Sequence, residues 1–198
     1  MATDIGLVLA NLTHFYNFGG KTVIHVGAGG GQFVRSAETA RRVVAVDSDP
    51  AAIARLKLAV EAARLGAIFA FREEPFEAVA DRADVVLFEF CLHEMDDPAA
   101  ALRHARELGP DILVIDHAPE STWAWYVAET EKAARSWTAC ERAGIRREQT
   151  YSGLQRFDNG DALLEKVRSQ GEPAVSRALT HAGPAPITIE MTYRIALL

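Results

Sequence analysis

Five short apolar runs punctuate the first two thirds of the chain: Val23–Val26, Val43–Val46, Ile68–Phe71, Val85–Phe88 and Ile112–Ile115. None alternates cleanly between apolar and polar, so each reads as a strand covered on both faces, the kind found in parallel sheets flanked by helices. The stretches between them carry helix punctuation. Asp49-Pro50 offers a cap and a first-turn proline; Ile53, Leu56, Val60 and Ala63 recur at helical spacing; Gly66 ends the segment. Asp97-Pro98, then Leu102, Ala105 and Leu108, then Gly109-Pro110 repeat the pattern. Strand–helix–strand alternation predicts an α/β, doubly wound sheet with right-handed crossovers and helices on both faces.

The last third changes character. A long helix is predicted over about Glu120–Arg142, broken at Ala143-Gly144, followed by a strand over Ile145–Tyr151 and a helix over Asp161–Ser169. Ile187, Ile189, Met191, Tyr193 and Ile195 alternate with Thr188, Glu190, Thr192 and Arg194, which predicts a strand in antiparallel pairing with one wetter face. No repeat or long linker divides the chain. One domain over 1–198 is therefore expected, with an N-terminal helical cap (1–20), a core (21–150) and a C-terminal helix and last strand (151–198).

Charge and composition narrow the function. With 21 Lys+Arg against 27 Asp+Glu the formal charge is −6, which argues against a nucleic-acid partner, since neutralising phosphates needs a basic surface. The longest uncharged stretch, Ile5–Gly20, contains Asn11, Thr13, His14 and Asn17, so neither a membrane span nor a secretory leader is expected. Cys91 and Cys140 form no Cys-x-x-Cys pair, consistent with a reducing, cytoplasmic setting.

Six of the fourteen glycines lie in Gly19–Gly31. Val23-Ile24-His25-Val26-Gly27-Ala28-Gly29-Gly30-Gly31 reads as strand, then glycine loop, before a helix start, a geometry that lets a ligand approach the main chain. Asp47 ends the second apolar run twenty residues after Gly27, where an acid is placed to accept hydrogen bonds from ribose hydroxyls. The glycines are spaced Gly-x-Gly-x-Gly, with Gln32 where a dinucleotide fingerprint has its third glycine, and no Gly-Lys-Ser/Thr phosphate loop is present.

On His25-Val26-Gly27-Ala28-Gly29-Gly30-Gly31, Val44-Ala45-Val46-Asp47, Asp84-Val85-Val86-Leu87 with Leu92-His93-Glu94-Met95, and Ala143-Gly144-Ile145, the chain resembles the class I S-adenosylmethionine-dependent methyltransferases. The Leu-His-Glu-Met stretch is similar to the small-molecule branch that includes quinone-biosynthesis and arsenite methyltransferases. The resemblance implies a Rossmann-like sheet of seven strands, mostly parallel with an antiparallel C-terminal strand. It implies S-adenosyl-L-methionine as methyl donor, a small-molecule acceptor and in-line displacement, and leaves a homodimer as an option. It assigns cofactor contacts to Gly27, Ala28, Gly29, Gly31, Asp47, Ser48, Glu73, Glu89, Phe90 and Cys91. Two positions depart from the family: His25 stands where an acid is usual, and Glu73 is the nearest substitute for the acid after the third strand. Those departures keep a second expectation open, a catalytically degenerate binding module with a regulatory role.

His93 and His117 are the candidate general bases, because imidazole titrates near working pH. Glu89, Asp116 and His117 are the one set considered for a divalent cation, and no metal is expected. Trp123, Trp125, Tyr126, Phe15 and Tyr16 are candidates both for walls of an acceptor pocket and for core packing.

Overall fold

The computed structural model describes residues 2–198; Met1, the start of the expected cap, lies outside them. One mixed sheet organises the chain. Its strands are β1 (Ala2–Thr3), β2 (Thr22–Val26), β3 (Arg42–Asp47), β4 (Phe69–Glu73), β5 (Val85–Glu89), β6 (Asp111–His117), β7 (Arg147–Phe157) and β8 (Ile187–Leu197), in the order β1-β7-β8-β6-β5-β2-β3-β4. β2, β3, β4, β5 and β6 pair in parallel, while β8 runs antiparallel between β6 and β7. The seven-stranded sheet with an antiparallel last strand is thus as expected, with the two-residue β1 added at one edge.

Helices cover both faces. Leu12 of α1 (Ile5–Phe15), Trp123 of α4 (Thr122–Tyr126), Leu163 of α6 (Gly160–Val167) and Ala174 of α7 (Glu172–Leu179) pack with Val23, Val85, Leu113 and Tyr193. Leu102 of α3 (Pro98–Leu108) and Trp137 of α5 (Thr130–Ala143) pack with Ile24, Val86 and Val114 on the opposite face. Ile53 and Leu56 of α2 (Pro50–Ala62) pack on Ala45. Neighbouring residues of one strand go to opposite clusters, and this two-sided burial is why the runs read as continuously apolar. The two Asp-Pro starts hold: Asp49 accepts from Ala51 N and Asp97 from Ala100 N, each at 2.9 Å.

Four local expectations need correction. The helix over Glu120–Arg142 is two, because Ala128 takes a left-handed φ of 61° between α4 and α5. The turn after the glycine loop is a 3-10 stretch over Gln32–Thr39 rather than an α-helix start. β7 continues to Phe157, six residues beyond expectation, because β8 supplies a pairing partner for the polar Ser152–Arg156 segment. α7, with Pro173 in its first turn, is a helix outside the expected set. Among the described residues, no helix is long and apolar enough to cross a membrane.

Candidate active site

Parallel pairing brings the carboxyl ends of β2, β3, β5 and β6 to one edge of the sheet, where ligands bind in open α/β folds. The loop after β2 begins with Gly27 at φ 67° and turns again at Gly31 at φ 68°, left-handed conformations that favour glycine. A side chain at Gly27 would collide with Cys91, and one at Gly29 with Ala52 and Asp47. The glycines therefore let the loop lie directly on its neighbours.

Asp47 pins that loop. Its Oδ2 accepts from Gly29 N at 3.0 Å and its Oδ1 from Asp49 N at 2.9 Å. Each carboxylate oxygen has a second lone pair, and the half-buried side chain borders two cavities. One, of about 370 Å³, is lined by Gly29, Gly31, Asp49 and Arg55. The other, of about 120 Å³, is lined by Gly27, Ser48, Glu74, Phe76, Cys91 and Met95. Glu73, the last residue of β4 and paired with Asp47, is exposed and lines neither cavity; Glu74, one residue further on, lines the second.

His25 and Glu89 meet under the loop. His25 Nε2 lies 2.8 Å from Glu89 Oε2, both buried, outside the angles of a good hydrogen bond. Glu89 Oε1 has no protein partner. An acid of the neighbouring strand β5 thus stands beside position 25, where the family resemblance expects an acid. An orphaned, buried carboxylate oxygen calls for a donor, and the amino end of a methionine moiety is one. With Asp47 available to a vicinal diol, these residues fit S-adenosylmethionine.

Phe90, at a strained φ of 48°, separates this region from a further cavity of about 220 Å³. That cavity is lined by Phe90, His93, Glu94, His117, Trp123 and Glu129, with Gln32, Gln155, Lys166 and Met191 among the remainder. Cys91 turns away: its Sγ lies 3.2 Å from Val26 O, and burial, with Asp116 and Glu89 nearby, pushes the thiol well up. It is not a nucleophile at neutral pH.

The two candidate histidines stand in opposite environments. Asp116, fully buried, accepts His93 N at 3.0 Å through Oδ2, and its Oδ1 receives His117 N at 2.8 Å and meets His93 Nδ1 at 2.5 Å. Burial would lower the basicity of His93, but Asp116, Glu129 and Glu94 overcome it and raise the imidazole to about 11. Burial dominates at His117 and lowers it to about 4. His117 is therefore neutral, with an unpartnered Nδ1, 7% exposed, beside Phe90 at 4.9 Å between ring centroids. Asp116 is consumed by the two histidines and Glu89 faces His25, so Glu89, Asp116 and His117 do not converge on a common point. Trp123 serves as cavity wall and core residue together; Tyr126 stacks on it at 6.0 Å, and Trp125 is exposed under Arg177.

Glu74, Glu129 and Gln155 are cavity residues that the sequence does not single out, and Met95 stands out there only as part of a motif. Glu74 adjoins a residue that is singled out, but Glu129 sits within what reads as one uninterrupted helix, and only the break at Ala128 turns it toward the cavity.

A family model described as a methyltransferase domain matches residues 3–165. No curated protein matches the chain. Similar solved structures include a Bacillus halodurans protein provisionally described as a methyltransferase (15% identity, 96% of each chain, TM-score 0.65). A precorrin 8W decarboxylase from Methanobacterium thermoautotrophicum shares 14% identity over 96% of this chain and 89% of its own, at TM-score 0.64. Magnesium protoporphyrin IX methyltransferase from Synechocystis, with bound S-adenosylhomocysteine, shares 14% over 98% and 81%, at TM-score 0.60. At these identities the likeness is one of fold.

Proposed function

Because the chain belongs to the methyltransferase-domain family, whose methyl donor is S-adenosylmethionine, we propose that it methylates a small molecule seated in the cavity beyond Phe90, by in-line displacement. The observation that carries this reading is His117, a buried and neutral imidazole that lines this cavity beside Phe90. The cavity of about 220 Å³ suits the reacting part of a metabolite rather than a nucleic-acid strand, in keeping with the net charge of −6.

When bound, the cofactor supplies a methyl group already activated by a sulfonium, so the protein's task is positioning, with proton removal where the acceptor needs it. Gly27, Ala28, Gly29 and Gly31 present main chain to the methionine end, and Glu89 Oε1 receives its amino group. Asp47 accepts the ribose hydroxyls, while Ser48 and Glu74 line the adenine side, the role that the resemblance assigns to Glu73. The Glu89–Cys91 backbone borders the sulfonium and Phe90 divides donor from acceptor. The His117 imidazole would take the acceptor's proton. His93, with Nδ1 committed to Asp116, acts as a positioning residue that holds the turn after β5 against β6. Glu89 beside His25 supports an active enzyme over a degenerate module. Both cysteines are free, which supports a cytoplasmic setting.

Methyl-donor consumption measured against a panel of small hydroxyl, thiol and amine acceptors tests the reading. Turnover that falls on replacing His117 or Trp123 while donor affinity is kept is the expected result. Methylation of RNA or protein, with the whole panel inert, would sink it.

A further inference from the structure

The acceptor cavity holds a cluster that methyl transfer alone does not require. His93 is 3% exposed, and its ring is fixed by Asp116 at 2.5 Å from Nδ1. The other nitrogen, Nε2, faces Glu94 Oε1 at 3.4 Å and Glu129 Oε2 at 3.5 Å. Both separations exceed the usual N–H···O length of about 2.7–3.2 Å. They match the edge of about 3.3–3.4 Å that joins two ligands of a tetrahedral ion with metal–ligand bonds of about 2.0–2.1 Å. Lys132 engages Glu94 through Oε2 at 2.6 Å and leaves Oε1 toward the histidine. One ligand atom from each of the three residues lies within 4.8 Å of the others.

A second observation is independent of that spacing. His117, more than nine-tenths buried, lines the same cavity, with its Nδ1 unpartnered and its ring 5.4 Å from that of His93. A buried polar atom without a partner calls for one. The carboxylate on Nδ1 is also the outer-shell arrangement that orients metal-binding histidines and fixes their tautomer.

We propose that His93 Nε2, Glu94 Oε1 and Glu129 Oε2 bind a divalent transition ion, Zn²⁺ by ligand type, with its fourth position open toward His117. One imidazole and two carboxylates suit Zn²⁺ better than the all-oxygen sets of Mg²⁺ and Ca²⁺. Binding displaces the proton that His93 otherwise carries, which passes to solvent. An acceptor oxygen or sulfur at the open position would lose its proton to His117 while the ion stabilises the resulting anion. The role of the ion rests on the methyltransferase reading above; its binding does not.

The test is titration of chelator-treated, full-length protein with Co²⁺, followed by its visible d–d absorption, without methyl donor or acceptor. One intense tetrahedral-type band saturating at one equivalent and displaced by Zn²⁺ is the expected result. Glu129→Gln and Glu94→Gln should each weaken Co²⁺ binding at least tenfold, and Asp116→Asn by about 10–100-fold. Glu129 makes no side-chain cap to α5, so its Gln variant should keep the fold, as circular dichroism would show. Glu148→Gln, on β7 and outside the cavity, serves as control. Absence of the band, or Co²⁺ affinity unchanged in folded Glu129→Gln, overturns the site. A band together with an inert acceptor panel upholds the site and tells against the small-molecule reading.

Discussion

At the scale of residues, burial separates groups that look alike in the sequence. Asp47 and Asp49 are two apart, yet one pins the glycine loop from the sheet edge and the other caps α2. Asp47→Ala should weaken S-adenosylmethionine binding by about 2–4 kcal/mol, roughly 30- to 1,000-fold, through lost charge-assisted hydrogen bonds. It should also lower the melting temperature, because Gly29 N and Asp49 N lose their acceptor. Asp49→Ala should cost ~1 kcal/mol of stability and leave affinity unchanged. Calorimetry and thermal melts on the two variants check both statements. The histidines separate in the same way. His117→Ala should lower kcat by ~10²–10⁴-fold with donor affinity kept. His93→Ala, which strands the buried Asp116, should lower stability as well as rate. Equal kinetic and stability profiles for the two variants would contradict the assignment of His117 as the base.

At the scale of elements, punctuation was legible wherever a side chain capped a helix, and illegible wherever the chain bent for tertiary reasons. Asp49-Pro50 and Asp97-Pro98 announce α2 and α3 because capping is a local hydrogen bond. Nothing local announces the break between α4 and α5. Ala128 sits exposed at φ 61°, a conformation that costs an alanine roughly 1–2 kcal/mol. The break persists because it seats Trp123 in the core and delivers Glu129 to the cavity. Ala128→Gly should therefore raise stability by ~0.5–1 kcal/mol in urea unfolding, after the glycine's extra unfolded-state entropy is deducted. Ala128→Val should lower it. The far half of β7 was missed for a related reason: Ser152–Arg156 is polar, and its strand conformation is set by β8 across the ladder.

At the scale of the whole molecule, one polar clamp joins distant parts of the chain. Tyr16, just after α1, donates to Asp111 at 2.6 Å, and Arg146 reaches both Asp111, at 2.7 Å, and the Leu198 carbonyl. Burial opposes ionisation of Asp111, but Tyr16 and Arg146 outweigh it and hold the carboxyl below its ordinary value; burial and Asp111 raise the Tyr16 phenol. A lowered acid contributes stability above its unfolded pKa of about 3.9 and loses it as pH falls through the folded value; a raised phenol contributes below about 10 and loses it as pH rises. Asp111→Asn should thus lower the melting temperature at neutral pH and flatten its decline in acid; an unchanged acid limb would refute the clamp. On the same scale, the division between sequence and structure becomes clear. The parallel core, the glycine loop and Asp47 at the sheet edge follow from the sequence, because burial on two faces and turn chemistry leave marks within a few residues. The pairing of His25 with Glu89, the placing of Glu74 on the cavity beside Asp47, and the convergence of His93, Glu94, Asp116 and Glu129 were decided only by tertiary structure. Those contacts join separate strands and loops, and the charge on each imidazole depends on how deeply the assembled fold buries it and which carboxylates it brings near.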